Sequence, residues 1–224
     1  MSRGIIALAG KGGVGKTSIA AAIVSQLMRD HPEAKILAID ADPAVGLETS
    51  LGVSSSYTVD DIRKEITMAS REDKDKHRAI ELLGESRFRL MDAMIETDGF
   101  AFLAIGRPEA AGCYCSVNTY LREVISSWAD SFDYVVIDGE AGVEQINRRV
   151  MEKVTHLILV SDHSRKGTRV ISTVKQVADE LLSESTAMRG LCMPKSAVSE
   201  WAKRCMLSTI FSRVMSAETE VSGS

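Results

Sequence analysis

The chain has 224 residues, 45% hydrophobic and 26% charged, with a net charge of −4; this fits one α/β domain whose core needs no disulfide or structural metal to hold it. The acidic balance excludes a general attraction to DNA or to an anionic membrane, and 5% aromatic residues are too few for a stacking platform on single-stranded nucleic acid. No stretch approaches the roughly 20 consecutive apolar residues of a membrane span; the first ten residues, MSRGIIALAG, lack a secretory pattern, and four cysteines are no disulfide framework, so the expectation is a cytoplasmic protein.

In chain order, residues 4–9 (GIIALA) read as a buried strand, an apolar run bounded by glycine. A glycine-rich turn follows, and then 17–29 (TSIAAAIVSQLMR), apolar nearly all round, predicts a helix packed on a sheet. Residues 35–39 (KILAI) predict a second buried strand ending at Asp40. Strand, helix and strand in so short a span make a βαβ unit, with a right-handed crossover and a parallel sheet. Residues 59–95 are charged and weakly patterned and read as two or more surface helices; the mixed charges of 71–78 (REDKDKHR) read as a solvated face. Strands are predicted at 99–105, 133–137 and 156–160, and helices at 117–128, 144–153 and 165–183. The alternation, without repeats or low-complexity linkers, predicts a doubly wound, mostly parallel sheet with helices on both faces over residues 1–185. Residues 186–224 are expected to be an atypical or truncated C-terminal segment of the same domain.

The string Gly10-Lys11-Gly12-Gly13-Val14-Gly15-Lys16-Thr17 fits the phosphate-loop pattern, placed after an apolar strand and at the start of a helix. Glycines let successive backbone N–H groups turn towards phosphate oxygens, and the helix N-terminus adds its positive end. Lys16 is expected to bridge the β- and γ-phosphates of ATP, Thr17 to coordinate Mg2+, and Ser18 to lie beside them. Asp138 follows the strand DYVVI, where a carboxylate stands beside Mg2+. Asp40 and Asp42 end the second strand, on the edge where ligands of such sheets bind. One of them is expected to act on the attacking water and the other to support the metal shell.

Lys11, early in the string KGGVGKT, gives the chain a resemblance to the deviant-Walker-A P-loop ATPases, which include MinD, ParA and the nitrogenase iron protein. The resemblance implies an ATP hydrolase in which Lys11 reaches the nucleotide of a partner subunit in a homodimer. It also implies that Asp40 to Pro43 form switch I, with Asp42 in the hydrolytic position. Asp138 to Gly142 resemble switch II, with the Gly142 N–H near the γ-phosphate. A cation delivered from a second chain can accelerate phosphoryl transfer by several powers of ten and makes the dimer sensitive to nucleotide state.

Cys113 and Cys115 are spaced so that, in an extended segment, both thiols point to one side with Cα atoms about 6.6 Å apart. Such a pair can be half of a tetrahedral thiolate site, completed across a two-fold axis. Taken by itself the spacing also fits a redox pair, and fits buried structural cysteines best. The string Gly112-Cys113-Tyr114-Cys115 in this setting resembles the CooC-type ATPases, maturation factors of nickel-containing carbon monoxide dehydrogenase. That resemblance implies Ni2+ as cargo, with Zn2+ a strong competitor, and a nickel-enzyme client. Two other readings stay open: a MinD/ParA-type spatial-organisation switch, for which a thiol pair has no use, and an iron–sulfur carrier. The resemblance further implies a late strand with an adenine-reading asparagine, but no asparagine follows Asn147. Residues 201–215 are expected to form a terminal helix packed on the sheet rather than a membrane-surface helix, and His163 to be a loop histidine.

Overall fold

The computed structural model describes residues 4–42, 46–71, 76–106, 129–139, 154–162, 164, 165, 167, 169, 172, 173 and 187–192. Its elements are β1 (Gly4–Gly10), α1 (Lys16–Asp30), β2 (Ile36–Asp40), α2 (Leu47–Leu51), α3 (Val59–Arg71), α4 (Lys76–Ala93), β3 (Ile95–Glu96), β4 (Ala101–Ala104), β5 (Tyr134–Asp138), β6 (His156–Ser161) and β7 (Ala187–Cys192). The strands form one sheet in the order β3-β4-β2-β5-β1-β6-β7. All pairs are parallel except β3 with β4, as expected of a doubly wound sheet.

The sheet has an apolar layer on each face because its strands are apolar at consecutive positions. On one face Ile5, Ala7, Leu37, Ile39, Val135 and Ile137 pack under Val59, Ile62 and Ile66 of α3 and Leu90 of α4. On the other, Ile6, Leu8, Ala38, Val136 and Ile158 pack under Ile19, Ile23, Val24 and Leu27 of α1. Each fully buried aliphatic side chain contributes about 1.5–3 kcal/mol. α3 begins at a reciprocal cap: the Asp61 N–H donates to Thr58 Oγ1 (3.3 Å) and the Thr58 N–H to Asp61 Oδ2 (3.0 Å).

The strand expected over 99–105 is shorter, Ala101–Ala104. The Thr97 hydroxyl donates to the Phe100 carbonyl (2.7 Å) and accepts from the Phe100 N–H (3.1 Å), which bends 97–100 into a turn. The region of weak pattern after residue 59 contains the two helices α3 and α4, as expected. β7 falls in the stretch expected to be atypical, where the resemblance implied a late strand that the residue pattern did not show, and pairs with β6 from His156↔Ala187 to Ser161↔Cys192. The helices expected over 117–128 and 144–153 and all residues after 192 lie outside the described residues. Arg165, Gly167, Arg169, Ser172 and Thr173 are helical, in keeping with a helix after β6. No helix among the described residues is long and apolar enough to cross a membrane.

Candidate nucleotide site

Parallel register brings the C-terminal ends of β2, β5, β1 and β6 to one edge: Asp40 is level with Asp138, Asp138 with Leu8, and Gly10 with Val160. Ligands of doubly wound sheets bind at this edge. The loop between β1 and α1 crosses it. Gly10 has φ +143°, and a Cβ there would lie 1.9 Å from the Val160 carbonyl oxygen; only glycine lets β1 turn this close to β6. Gly12 and Gly13 are exposed, and a Cβ on either would enter open space. Gly13 also has φ +76°, so the backbone, rather than side chains, forms the lip of the loop. Val14 is buried and anchors it. Gly15 caps α1 in the left-handed region.

Lys16 is 5% exposed. Its ammonium donates to the carbonyls of Gly10 (3.1 Å) and Lys11 (3.2 Å), so the side chain folds back inside the loop. Thr17 and Ser18, half-buried, follow in the first turn of α1. A Cβ on Gly46 would lie 3.5 Å from the Thr17 methyl, so the chain returning to α2 passes next to Thr17.

The two strand-end carboxylates differ. Asp40 Oδ1 accepts from the Asp42 N–H (3.1 Å) and Oδ2 from the buried Leu47 N–H (2.8 Å). Asp40 thus spans the segment between β2 and α2, and burial raises its pKa to about 6 against the lowering by those two N–H groups. Asp138 is fully buried, and among the described residues neither of its oxygens has a hydrogen-bond partner. Burial raises its pKa; the Thr17 hydroxyl and the Lys16 ammonium pull it down, and Asp42 adds to the rise. A buried carboxylate with no hydrogen-bond partner in place among the described residues, next to a hydroxyl, is a donor set that fits a hard divalent cation. Asp42 is half-buried at the same edge.

Lys11 is paired within its own chain. Its ammonium donates to Asp162 Oδ2 (2.7 Å) and to Ser164 Oγ (3.4 Å). The Lys11 ammonium, chiefly, holds the Asp162 carboxyl well below the usual carboxylate range. Sequence reasoning missed Asp162; applied to the strand HLILV, the strand-end rule that singled out Asp40 and Asp138 finds it. The structure therefore gathers Gly10 to Ser18, Asp40, Asp42 and Asp138 at one edge. Cys113, Cys115, Gly142 and His163 lie outside the described residues. Among the described residues no group of three or more His, Cys, Asp or Glu can hold a metal ion.

Residues 3–187 match the AAA domain family. The chain is 38% identical to an uncharacterised ATP-binding protein of Methanocaldococcus jannaschii, over 79% of this chain and 69% of that one. It is 29% identical to the carbon monoxide dehydrogenase accessory protein CooC of Rhodospirillum rubrum, over 84% of this chain and 72% of that one. Among solved structures, a ParA family ATPase from Chlorobium tepidum superposes with a TM-score of 0.60 at 20% identity, over 85% of this chain and 73% of that one; at that identity the likeness concerns the fold alone. With a phosphate loop on a doubly wound sheet and a family match over most of its length, the chain belongs to the AAA domain family and is a P-loop ATPase of MinD/ParA-like fold.

Proposed function

We propose that this ATPase is a homodimeric metallochaperone that couples ATP binding and hydrolysis to nickel insertion into an enzyme of the carbon monoxide dehydrogenase type. The observation that carries the proposal is the Cys113-x-Cys115 pair in a chain whose phosphate loop also bears Lys11. Similarity to the accessory protein CooC supports it. The cytoplasm, where thiols stay reduced, suits such a site.

In this mechanism the backbone N–H groups of Gly12 to Lys16 cradle the phosphates. Lys16 exchanges its carbonyl acceptors at Gly10 and Lys11 for β- and γ-phosphate oxygens. Thr17 and Asp138, supported by Asp42, are the groups that would hold Mg2+; the ion neutralises phosphate charge when bound. Asp42 orients the water that attacks the γ-phosphorus as the bond to the ADP oxygen breaks. Asp40 acts through Asp42 by fixing the turn that carries it. Gly142 donates its N–H near the γ-phosphate. Lys11 of each subunit reaches the nucleotide of the other, so dimer closure depends on ATP. That closure brings Cys113 and Cys115 of both chains to one axis, where four thiolates hold one Ni2+.

The test is a titration of reduced, anaerobic protein with Ni2+, and separately with Zn2+. One ion per two chains is expected, with loss of binding in Cys113→Ala/Cys115→Ala. Unchanged stoichiometry in that double variant removes the cysteines from the site and nickel delivery with them. A broad visible absorption band in protein as purified would instead favour an iron–sulfur cluster.

A further inference from the structure

We propose that Asp162 is a positioning residue for Lys11: it latches the loop lysine within its own chain and competes with the phosphate groups that the lysine is to reach. The proposal rests on the reading above, in which Lys11 acts across a dimer.

The latch is a built arrangement, not a chance meeting of surface charges. Asp162 directly follows β6, and its side chain is 8% exposed, whereas that of Lys11 is 26% exposed. Each carboxylate oxygen has its own work. Oδ2 accepts from the Lys11 ammonium (2.7 Å), while Oδ1 accepts from the Ser164 N–H (3.2 Å) and the Ser164 hydroxyl (2.5 Å). Ser164 Oγ also accepts from the Gly167 N–H (3.0 Å), the serine-cap contact to the first turn of the helical segment that follows. Gly167 leaves room for the arrangement, because a Cβ there would lie 2.3 Å from Asp162 Oδ1 and 2.5 Å from Ser161 Oγ. The carboxylate is thereby fixed in place before the lysine arrives. Fixing a charged acceptor in advance lowers the entropy lost on pairing.

A consequence follows for the nucleotide switch. The lysine ammonium cannot rest on Asp162 of its own chain and on a phosphate in the partner at full strength in both. ATP-dependent closure must therefore overcome two latches per dimer. The same exchange changes the load on the helix start at Ser164 and Gly167, which links the loop's state to the segment after β6.

The experiment measures ATP-dependent dimerisation against protein concentration by analytical ultracentrifugation, for wild type, Asp162→Asn, Lys11→Ala and Ser164→Ala. Asp162→Asn should lower the half-dimer concentration by about three- to tenfold, the scale of removing partly exposed ion pairs. Ser164→Ala, which removes the weaker contact to the Lys11 ammonium and loosens the carboxylate but keeps its charge, should give a smaller gain than Asp162→Asn. Asp162→Ser, which keeps a short capping oxygen without the charge, replaces the asparagine variant if that one does not fold. In protein without added nucleotide, unfolding of Lys11→Ala, Asp162→Asn and the double variant should be non-additive. A half-dimer concentration in Asp162→Asn equal to or above wild type, with Lys11→Ala still unable to dimerise, overturns the latch alone. Lys11→Ala dimerising like wild type overturns the trans-acting lysine itself, and additive unfolding overturns the pair.

Discussion

The ends of β2 and β5 lie side by side at the same level of the sheet, and each carries an aspartate, yet the two are used differently. Asp40 is saturated by backbone donors from the turn that follows it. Asp138 is equally buried and, among the described residues, has none. A buried carboxylate without hydrogen bonds costs stability unless something else compensates it. On the proposed mechanism, the contrast separates a residue that shapes the site from one that is kept for a ligand. Position at a strand end shows that a carboxylate is near the site, and its hydrogen bonds show which task it has.

Substitution tests this contrast most severely at Asp138. Asp138→Asn should cut ATP turnover by about 100-fold or more, the scale of losing a group that organises charge at a transferring phosphoryl. Its unfolding midpoint in urea without nucleotide should equal or exceed that of wild type, because an orphaned charge is removed. A stability loss there would make Asp138 structural and erase the difference between the strands.

Asp40→Ala should do the reverse. It leaves the Asp42 and Leu47 N–H groups without their acceptor, and at pH 5 the unfolding free energy should fall by about 3 kcal/mol. Loss of activity without loss of stability would show that Asp40 contacts the reactants.

The smallest effect concerns pH. The folded-state pKa of Asp40, about 6, lies above the ordinary 3.8. The folded chain therefore holds the proton more tightly, and stability falls as pH rises from about 4 to about 6, then levels. The stability difference between wild type and Asp40→Asn should accordingly shift against wild type by about 2 kcal/mol between pH 4 and pH 7. A difference that is flat with pH, or that moves in wild type's favour, contradicts the burial of that carboxyl.

Much of this edge was legible in the sequence. GKGGVGKT is readable because the loop backbone itself is the binding element, so glycine spacing carries the geometry. The strands β1, β2, β5 and β6 were readable because strands buried on both faces must be apolar at every position. β7 was not. Its sequence, AMRGLC, places arginine and glycine in the interior of a strand that, among the described residues, pairs with β6 alone, and its position comes from pairing rather than pattern. The two residues of β3 and the five of α2 are too short for periodicity to register. The division of labour between Asp40 and Asp138 was also invisible, because it depends on where residues 42 and 47 direct their N–H groups. The position of Asp162 was readable by the strand-end rule but its pairing was not, because Lys11 lies far away in the chain and nothing in the residues between them signals it.

Metal delivery driven by nucleotide requires that ATP and metal affect each other's binding, and reciprocally. The direct measurement is the Ni2+ affinity of the reduced protein with and without a non-hydrolysable ATP analogue, in wild type and in Lys11→Ala. The expected result is a nucleotide-dependent change in affinity in wild type that disappears in Lys11→Ala. Nickel affinity indifferent to nucleotide in the wild-type protein would contradict the coupling on which a delivery role depends.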